Sequence, residues 1–193
     1  MNNIINQEVS KFVNERSFNL KQSNHLRNSN VFNQKLNEVD ENMRKQVLDL
    51  IKNNQWETPD ANRFYESMKQ SKHVLMLTDY TPAELSKMQL FKLKGFNIGF
   101  ALKPFENSLE IVAVHNNEPE VKNIGDALVH SAVDNGGCYL DHFDGYLSNL
   151  YKNMGFIEYK RDKFDPQYDQ GGQFAKQYGQ SDIIYRVHDT CAA

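Results

Sequence analysis

Hydrophobic positions along the chain recur at two spacings, and the switch between them marks out the elements. Leu36, Val39, Met43, Val47, Leu50 and Ile51 return every three or four residues and stop at the polar pair Asn53-Asn54, which predicts one amphipathic helix. Its apolar stripe predicts packing on the rest of the chain, with an oligomer or partner contact through residues 36–51 as the other use of such a face. The residues before it are rich in Asn, Gln, Lys and Glu, with Phe12, Phe18 and Phe32 scattered among polar neighbours, and bury little by themselves. Residues 1–55 therefore read as an Asn-rich helical arm and residues 56–193 as the domain proper.

From Trp56 onward the two periods alternate. Thr58-Pro59-Asp60 carries helix-start chemistry, so a helix is predicted toward Gln70 with Phe64 and Met68 inward. His73 to Thr78 reads as a buried strand. Thr81-Pro82-Ala83-Glu84 is a capping box that predicts a helix through Leu85, Met88 and Phe91, ended by Gly95. Phe96 to Leu102 and Ser108 to His115 read as strands paired in a hairpin across Pro104 to Asn107. Lys122 to Leu128 enters a helix that Asn135-Gly136-Gly137 closes, and Cys138 to Phe143 is the next strand. Asp144 can cap a helix with Leu147, Leu150, Tyr151 and Met154 on one face. Phe156 to Tyr159 and Asp182 to Val187 are the last strands, separated by a long polar loop over residues 165–179 with Gly171-Gly172 at its middle. The expected fold class is a mixed α+β domain with a central, twisted, mostly antiparallel sheet flanked by helices and the N-terminal arm.

Composition then narrows the function classes. With 193 residues, 39% hydrophobic, there is material for one good core, and the net charge of −3 gives no footprint for nucleic acid or an anionic membrane. No segment approaches the roughly 18 apolar residues that a membrane span needs, and none resembles a signal peptide. Cys138 and Cys191 lack metal-ligand spacing, so a reduced, cytoplasmic protein without a metal site is expected. His115 and His130 read as surface or satisfied histidines rather than ligands.

Chemistry concentrates between Ser108 and Phe156. Gly125 at the mouth of a helix lets the backbone approach a ligand, and the free N–H groups there suit an anion such as a pyrophosphate. Glu110 enters the region on a strand, and Asp141 with His142 ends the following one. Adjacent strand residues face opposite ways, which argues against an Asp141–His142 dyad. Plainer readings stand beside these: a simple turn at Gly125, a core tyrosine at Tyr151 and a solvated strand edge at Glu110.

Two motifs give the stretch a family likeness. Lys122-Asn123-Ile124-Gly125-Asp126-Ala127, between a strand and a helix, is similar to the phosphate-binding turn of the GNAT superfamily of acyl-CoA N-acyltransferases, with Lys in place of its Arg or Gln. Tyr151-Lys152-Asn153-Met154-Gly155-Phe156 resembles that family's second signature, a helical tyrosine shortly before a Gly-Phe pair. In element order the likeness covers roughly residues 73–187, and it resembles most the divergent acetyltransferase-like proteins carried by bacteriophages, which places the chain in host cytoplasm or a virion. The resemblance implies acetyl-CoA as acyl donor, held by the backbone of Val112 to Val114 along its pantetheine arm and by the amides of Asn123 to Ala127, with Lys122 beside them, at its pyrophosphate. It implies Tyr151 as the acid for the leaving thiolate and Glu110 as general base, with Asp141 as a rival.

The acceptor implied is an amine of a protein or small molecule, attacked through a ternary complex. Residues 58–93 and 165–179 would shape its pocket, and Glu66, Asp79, Glu84, Asp165 and Asp169 there favour a cationic amine. The turn departs from the family pattern in its length and in carrying Glu118, Glu120 and Asp126. Those acids motivate the contrasting reading, a catalytically degenerate scaffold that binds a virion or host protein.

Overall fold

A computed structural model describes residues 30–169 and 172–192. The polar segment with Phe12 and Phe18, and Gly171 of the long loop, lie outside them. The first periodic stretch is helix α1 (Asn30–Lys52), and its C-terminal half joins the core: Val47 and Ile51 are buried against Leu93, Phe96, Ile98 and Leu128. The stripe thus serves packing on the domain.

The remaining elements are strand β1 (Trp56–Glu57), α2 (Ala61–Lys69), α3 (Pro82–Leu85), β2 (Gln89–Leu93), β3 (Ile98–Phe105), β4 (Ser108–Asn116) and α4 (Gly125–Asp134). After them come β5 (Gly137–Phe143), α5 (Tyr146–Asn153), β6 (Phe156–Asp162), α6 (Gln173–Tyr178) and β7 (Ile183–His188). The strands form one sheet in the order β1-β2-β3-β4-β5-β7-β6. Every neighbouring pair is antiparallel except β4 with β5, which is parallel. The expected mixed α+β class, with a mostly antiparallel sheet between helices, is the architecture observed.

Strand alternation sorts the core into two layers. On one face Phe100, Leu102, Ile111, Leu140 and Phe156 meet α4 and α5 through Val129, Ala132, Leu150 and Met154, and α1 continues this layer. On the other, Ala101 and Val112 meet Phe64, Met68 and Leu85 of α2 and α3. Helix α2 starts two residues later than the Thr58-Pro59 signal, because Asp60 is the residue whose carboxylate accepts from Arg63 N (2.9 Å).

Three expectations need correction. His73 to Thr78 is not a buried strand: Val74–Met76 forms a 3-10 turn with Leu75 and Met76 exposed, closed by the Leu77 N–H donating to the Val74 carbonyl (3.1 Å). The capping box at Thr81 and Glu84 forms as read, yet its helix is a single turn, and Gln89–Leu93 pairs with β3 as a strand instead. Here Leu90 and Leu93 bury on opposite faces, so the three-residue recurrence of Leu85, Met88 and Phe91 imitated a helix. Third, the cysteines are not reduced thiols: Cys138 and Cys191 are joined in a disulfide across 53 positions, tying the C-terminal turn to the start of β5.

Closing a loop of that length removes chain entropy from the unfolded state. Cys191→Ser is therefore expected to lower the unfolding free energy by about 2–4 kcal/mol in urea titrations without reductant. Adding dithiothreitol should erase the difference from the parent; an unchanged midpoint without reductant would show that the bond adds nothing.

Candidate functional site

The site grows from an interrupted strand pairing. Strands β4 and β5 pair only at their N-terminal ends, Leu109 with Gly137 and Glu110 with Tyr139. There Gly137 lets the strands and α4 close up: a Cβ on it would lie 2.5 Å from Ile111 Cγ1 and 2.9 Å from the Ala132 carbonyl oxygen. Beyond Glu110, β4 pairs with β3 alone and β5 with β7 alone, so the two strands diverge. Within the diverging part the β3–β4 register shifts between Gly99 and Ala101, and Ala113 takes φ 54°, a left-handed conformation that costs an L-residue about 1–2 kcal/mol. Buried His115 grips this bulge, its Nδ1–H donating to the Ala113 carbonyl (2.9 Å) while Nε2 meets Ser67 Oγ (2.7 Å). The result is an interior strand edge at Ile111, Val112 and Ala113, all buried, with no strand paired to it among the described residues.

At the C-terminal end of this opening lies the 122–127 turn. Asn123 is left-handed at φ 55°, and α4 begins at Gly125 with no side-chain hydrogen bond from the N-cap residue Ile124, so its first N–H groups are not claimed by a capping side chain. A Cβ added to Gly125 meets nothing within 4 Å. The fold itself does not require glycine here; what the glycine keeps clear is the approach to the helix N-terminus. Helix α1 holds the loop from behind, with Arg44 donating to the Lys122 carbonyl (3.1 Å) and the Asn123 carbonyl (3.4 Å). Glu118 is turned away, its carboxylate accepting from the Asn97 N–H at 2.7 Å. Lys122 and Asp126 are exposed.

At the other end of the opening stand two carboxylates on the α2/α3 face. Glu110 is buried and forms a contact ion pair with Lys103, its register partner on β3, at 2.6 Å. Burial works to lower the Lys103 pKa, but contact with Glu110 and the nearby Tyr80 more than offset it, and the net direction is upward. Asp141 is accessible to solvent and yet crowded by protein, as befits a carboxyl on the floor of an open wedge. Desolvation first, then the Glu110 charge, raise its pKa to about 6 against the opposing pull of Lys103. Tyr80 lies on the same side, its pKa raised by burial, with Lys103 Nζ 5.8 Å from its ring centroid.

Tyr151 approaches from the opposite face on α5, its ring 5.0 Å from that of His142 and 5.9 Å from Phe156. Burial, and secondarily the Asp141 charge, push its hydroxyl up to about 12, so it remains a protonated donor throughout the physiological range. His142 is a structural group: its Nδ1–H donates to the Phe143 carbonyl (2.8 Å) and its Nε2 accepts from buried Arg186 (2.9 Å), which fixes a neutral ring. Asp141 and His142 do face opposite sides, as strand alternation requires.

The structure therefore brings Glu110, Asp141, Val112 and Val114 to one opening, with Tyr151 within electrostatic reach of Asp141 and residues 122–127 at the far end. Sequence reasoning missed Lys103, Tyr80 and Arg186. Lys103 was within reach, because the two-residue turn Glu106-Asn107 puts it opposite Glu110; Arg186 carried no such signal. Four of the five acids expected to attract a cationic acceptor are engaged elsewhere: Glu84 and Asp165 cap turns, Asp169 accepts from Phe174 and Ala175 N–H, and Asp79 pairs with Lys69, while the fifth, Glu66, is exposed on α2.

No family model and no curated protein matches the chain. Among solved structures it is similar to N-acetylglutamate synthase from Neisseria gonorrhoeae complexed with coenzyme A and L-arginine, at 16% identity over 69% of this chain and 32% of that one, with a TM-score of 0.43. The same enzyme with coenzyme A and N-acetyl-glutamate gives 16% identity over 69% and 34%, with a TM-score of 0.42. A GNAT family acetyltransferase from Elizabethkingia anophelis with acetyl-CoA bound gives 16% over 55% of this chain and 78% of that one, with a TM-score of 0.38. The chain thus spans about a third of the length of the synthase.

Carboxyl-carbon NMR should find Asp141 titrating near pH 6, with its pKa moving down in Glu110→Gln as the like charge is removed. A value in the ordinary aspartate range near 4 would contradict the crowded wedge.

Proposed function

We propose that the chain transfers an acetyl or related acyl group from acyl-CoA to an amine by direct attack in a ternary complex. The observation that carries this reading is the unpaired interior edge of β4 at Ile111, Val112 and Ala113, running toward a helix N-terminus that Gly125 keeps clear. An extended ligand with amides along its length can add to such an edge as a strand would, leaving an anionic end at the amides of residues 123–127. Coenzyme A has both features, and when bound it supplies an activated thioester carbonyl. Val112 and Val114 would offer backbone groups to the arm, and Lys122 a nearby positive charge.

The protein groups divide the proton work. Asp141, ionised above about pH 6 and open to solvent, is placed to take the proton of the attacking amine, directly or through water. Glu110, held by Lys103, fixes the electrostatics of that position and is the alternative base. As nitrogen bonds to the acyl carbon and the carbon–sulfur bond breaks, Tyr151 donates to the departing sulfur. Its pKa of about 12 lies above that of a typical thiol near 8.5, so the phenol is always protonated when needed and acts first as a hydrogen-bond donor. The scaffold reading loses one of its three acids, since Glu118 is occupied at Asn97.

Calorimetry should detect acetyl-CoA binding to the purified chain, and Gly125→Glu should abolish it while leaving the circular dichroism melt in place, because Glu is favourable in a first helical turn. Failure of the parent to bind acetyl-CoA ends the enzyme reading. With an acceptor in hand, kcat/KM should rise with pH and level off above about 6, and Tyr151→Phe should cut kcat by about 10–100-fold with little change in donor KM. A flat pH profile would remove Asp141 from the role.

A further inference from the structure

The α2/α3 face of the sheet is covered only in part. Over β2 to β4, Phe64, Met68 and Leu85 bury it, but on β5, β7 and β6 the same face shows Tyr139, Tyr185, Ile157 and Tyr159 around Asp141. Ile157 is 52% and Tyr159 48% exposed. The rings form a continuous row: Tyr139 lies 5.9 Å from Tyr159 and Tyr159 6.4 Å from Tyr185, each in edge or tilted contact. Both Tyr159 and Lys160 reach this face because the β6 register shifts between Glu158 and Lys160. Asp141 stands directly opposite Tyr185 and two residues from Tyr139, so its carboxyl borders the row. Tyr159 is exposed and Tyr139 and Tyr185 are half-buried, so the row can be reached from solvent, and reachable rings beside a carboxylate suit recognition of a ligand.

Charge selects what fits. Of the carboxylates near the rings, Glu110 is held by Lys103 at 2.6 Å and Asp162, beside Tyr185, is held by a lysine of its own strand, whereas Asp141 has no ion pair among the described residues. Two strands away, Lys160 places its ammonium 4.5 Å from the Tyr185 ring centroid, where it pairs with Asp162 at 2.6 Å. The strip therefore welcomes one positive charge at Asp141 and offers no free carboxylate to a second at its far end, where Asp162 is already held by Lys160, while its middle offers ring faces and edges to a flat apolar body.

We propose that the acyl acceptor is a small arylalkylamine, one ammonium joined by a short chain to a planar ring, with its nitrogen at Asp141 and its ring on Tyr139, Tyr159 and Tyr185. The assignment rests on the acyl-transfer reading for its chemistry, but the binding it requires is independent of the donor. In the transfer the ammonium gives up a proton to water to reach the free amine, the nitrogen takes the acyl carbon as the carbon–sulfur bond breaks and loses its second proton to Asp141, and the sulfur leaves as a thiol with a proton from Tyr151, which Asp141 restores through solvent.

The test is donor-free calorimetry near neutral pH with phenethylamine, butylamine and spermidine, beside a separate titration with acetyl-CoA. Phenethylamine should bind at least about tenfold tighter than the other two, and exposed Tyr159→Ala should bring the three within about twofold without altering acetyl-CoA binding. Butylamine stands for a protein lysine side chain and spermidine for a polyamine. If either binds as tightly as phenethylamine, if Tyr159→Ala leaves the preference intact, or if no amine binds, the arylalkylamine assignment is overturned whatever the donor does. Phenethylamine binding with the expected preference but without acetyl-CoA binding would uphold the acceptor strip and overturn the acyl-transfer reading instead.

Discussion

A parallel strand pair that stops after two residue pairs governs the rest of the molecule. Had β4 and β5 stayed in register, the seven strands would make a closed hydrogen-bonded surface with no interior edge. Gly137 draws the two together at one end, and the left-handed Ala113 bulge keeps them from continuing. An unpaired backbone edge among buried residues is costly unless water or a ligand satisfies it. His115 stabilises it by taking the Ala113 carbonyl, a role that its sequence position did not advertise.

The carboxylates beside the opening show how environment separates similar groups. Glu110 and Asp141 sit on the same face of neighbouring strands, yet one has a lysine at ion-pair distance and the other has solvent on one side and crowded protein on the rest. The paired group is held in place by its lysine; the unpaired one is held near the pH at which proton transfer is useful. His142, adjacent to Asp141 in sequence, is excluded from this division because Arg186 locks its ring on the far side of the sheet.

Much of this was legible in the chain because the periods were clean. The hairpin of β3 and β4, the strand at Gly137–Phe143 and the α5 stripe of Leu150, Tyr151 and Met154 follow from alternation and helical spacing, and so does the opposition of Asp141 and His142. Gln89–Leu93 and Val74–Met76 were not, since a five-residue strand and a 3-10 turn are decided by tertiary context. The Lys103–Glu110 pair needed only register arithmetic across the turn. The Ala113 bulge and the disulfide had no local signal at all: each depends on residues brought together by the finished sheet, His115 with Ser67 in one case and Cys138 with Cys191 in the other.

Arg44 gives the N-terminal helix a second meaning. Its guanidinium spans from α1 to the carbonyls of Lys122 and Asn123, so the backbone that faces an incoming anion is braced by a helix that contributes no group to the opening itself. Linkage is reciprocal: whatever alters how α1 seats on the sheet changes the free energy of ordering that loop, and whatever orders the loop tightens the seat of α1 by the same amount. The helix that looked like an appendage is thereby tied to the loop at the far end of the opening.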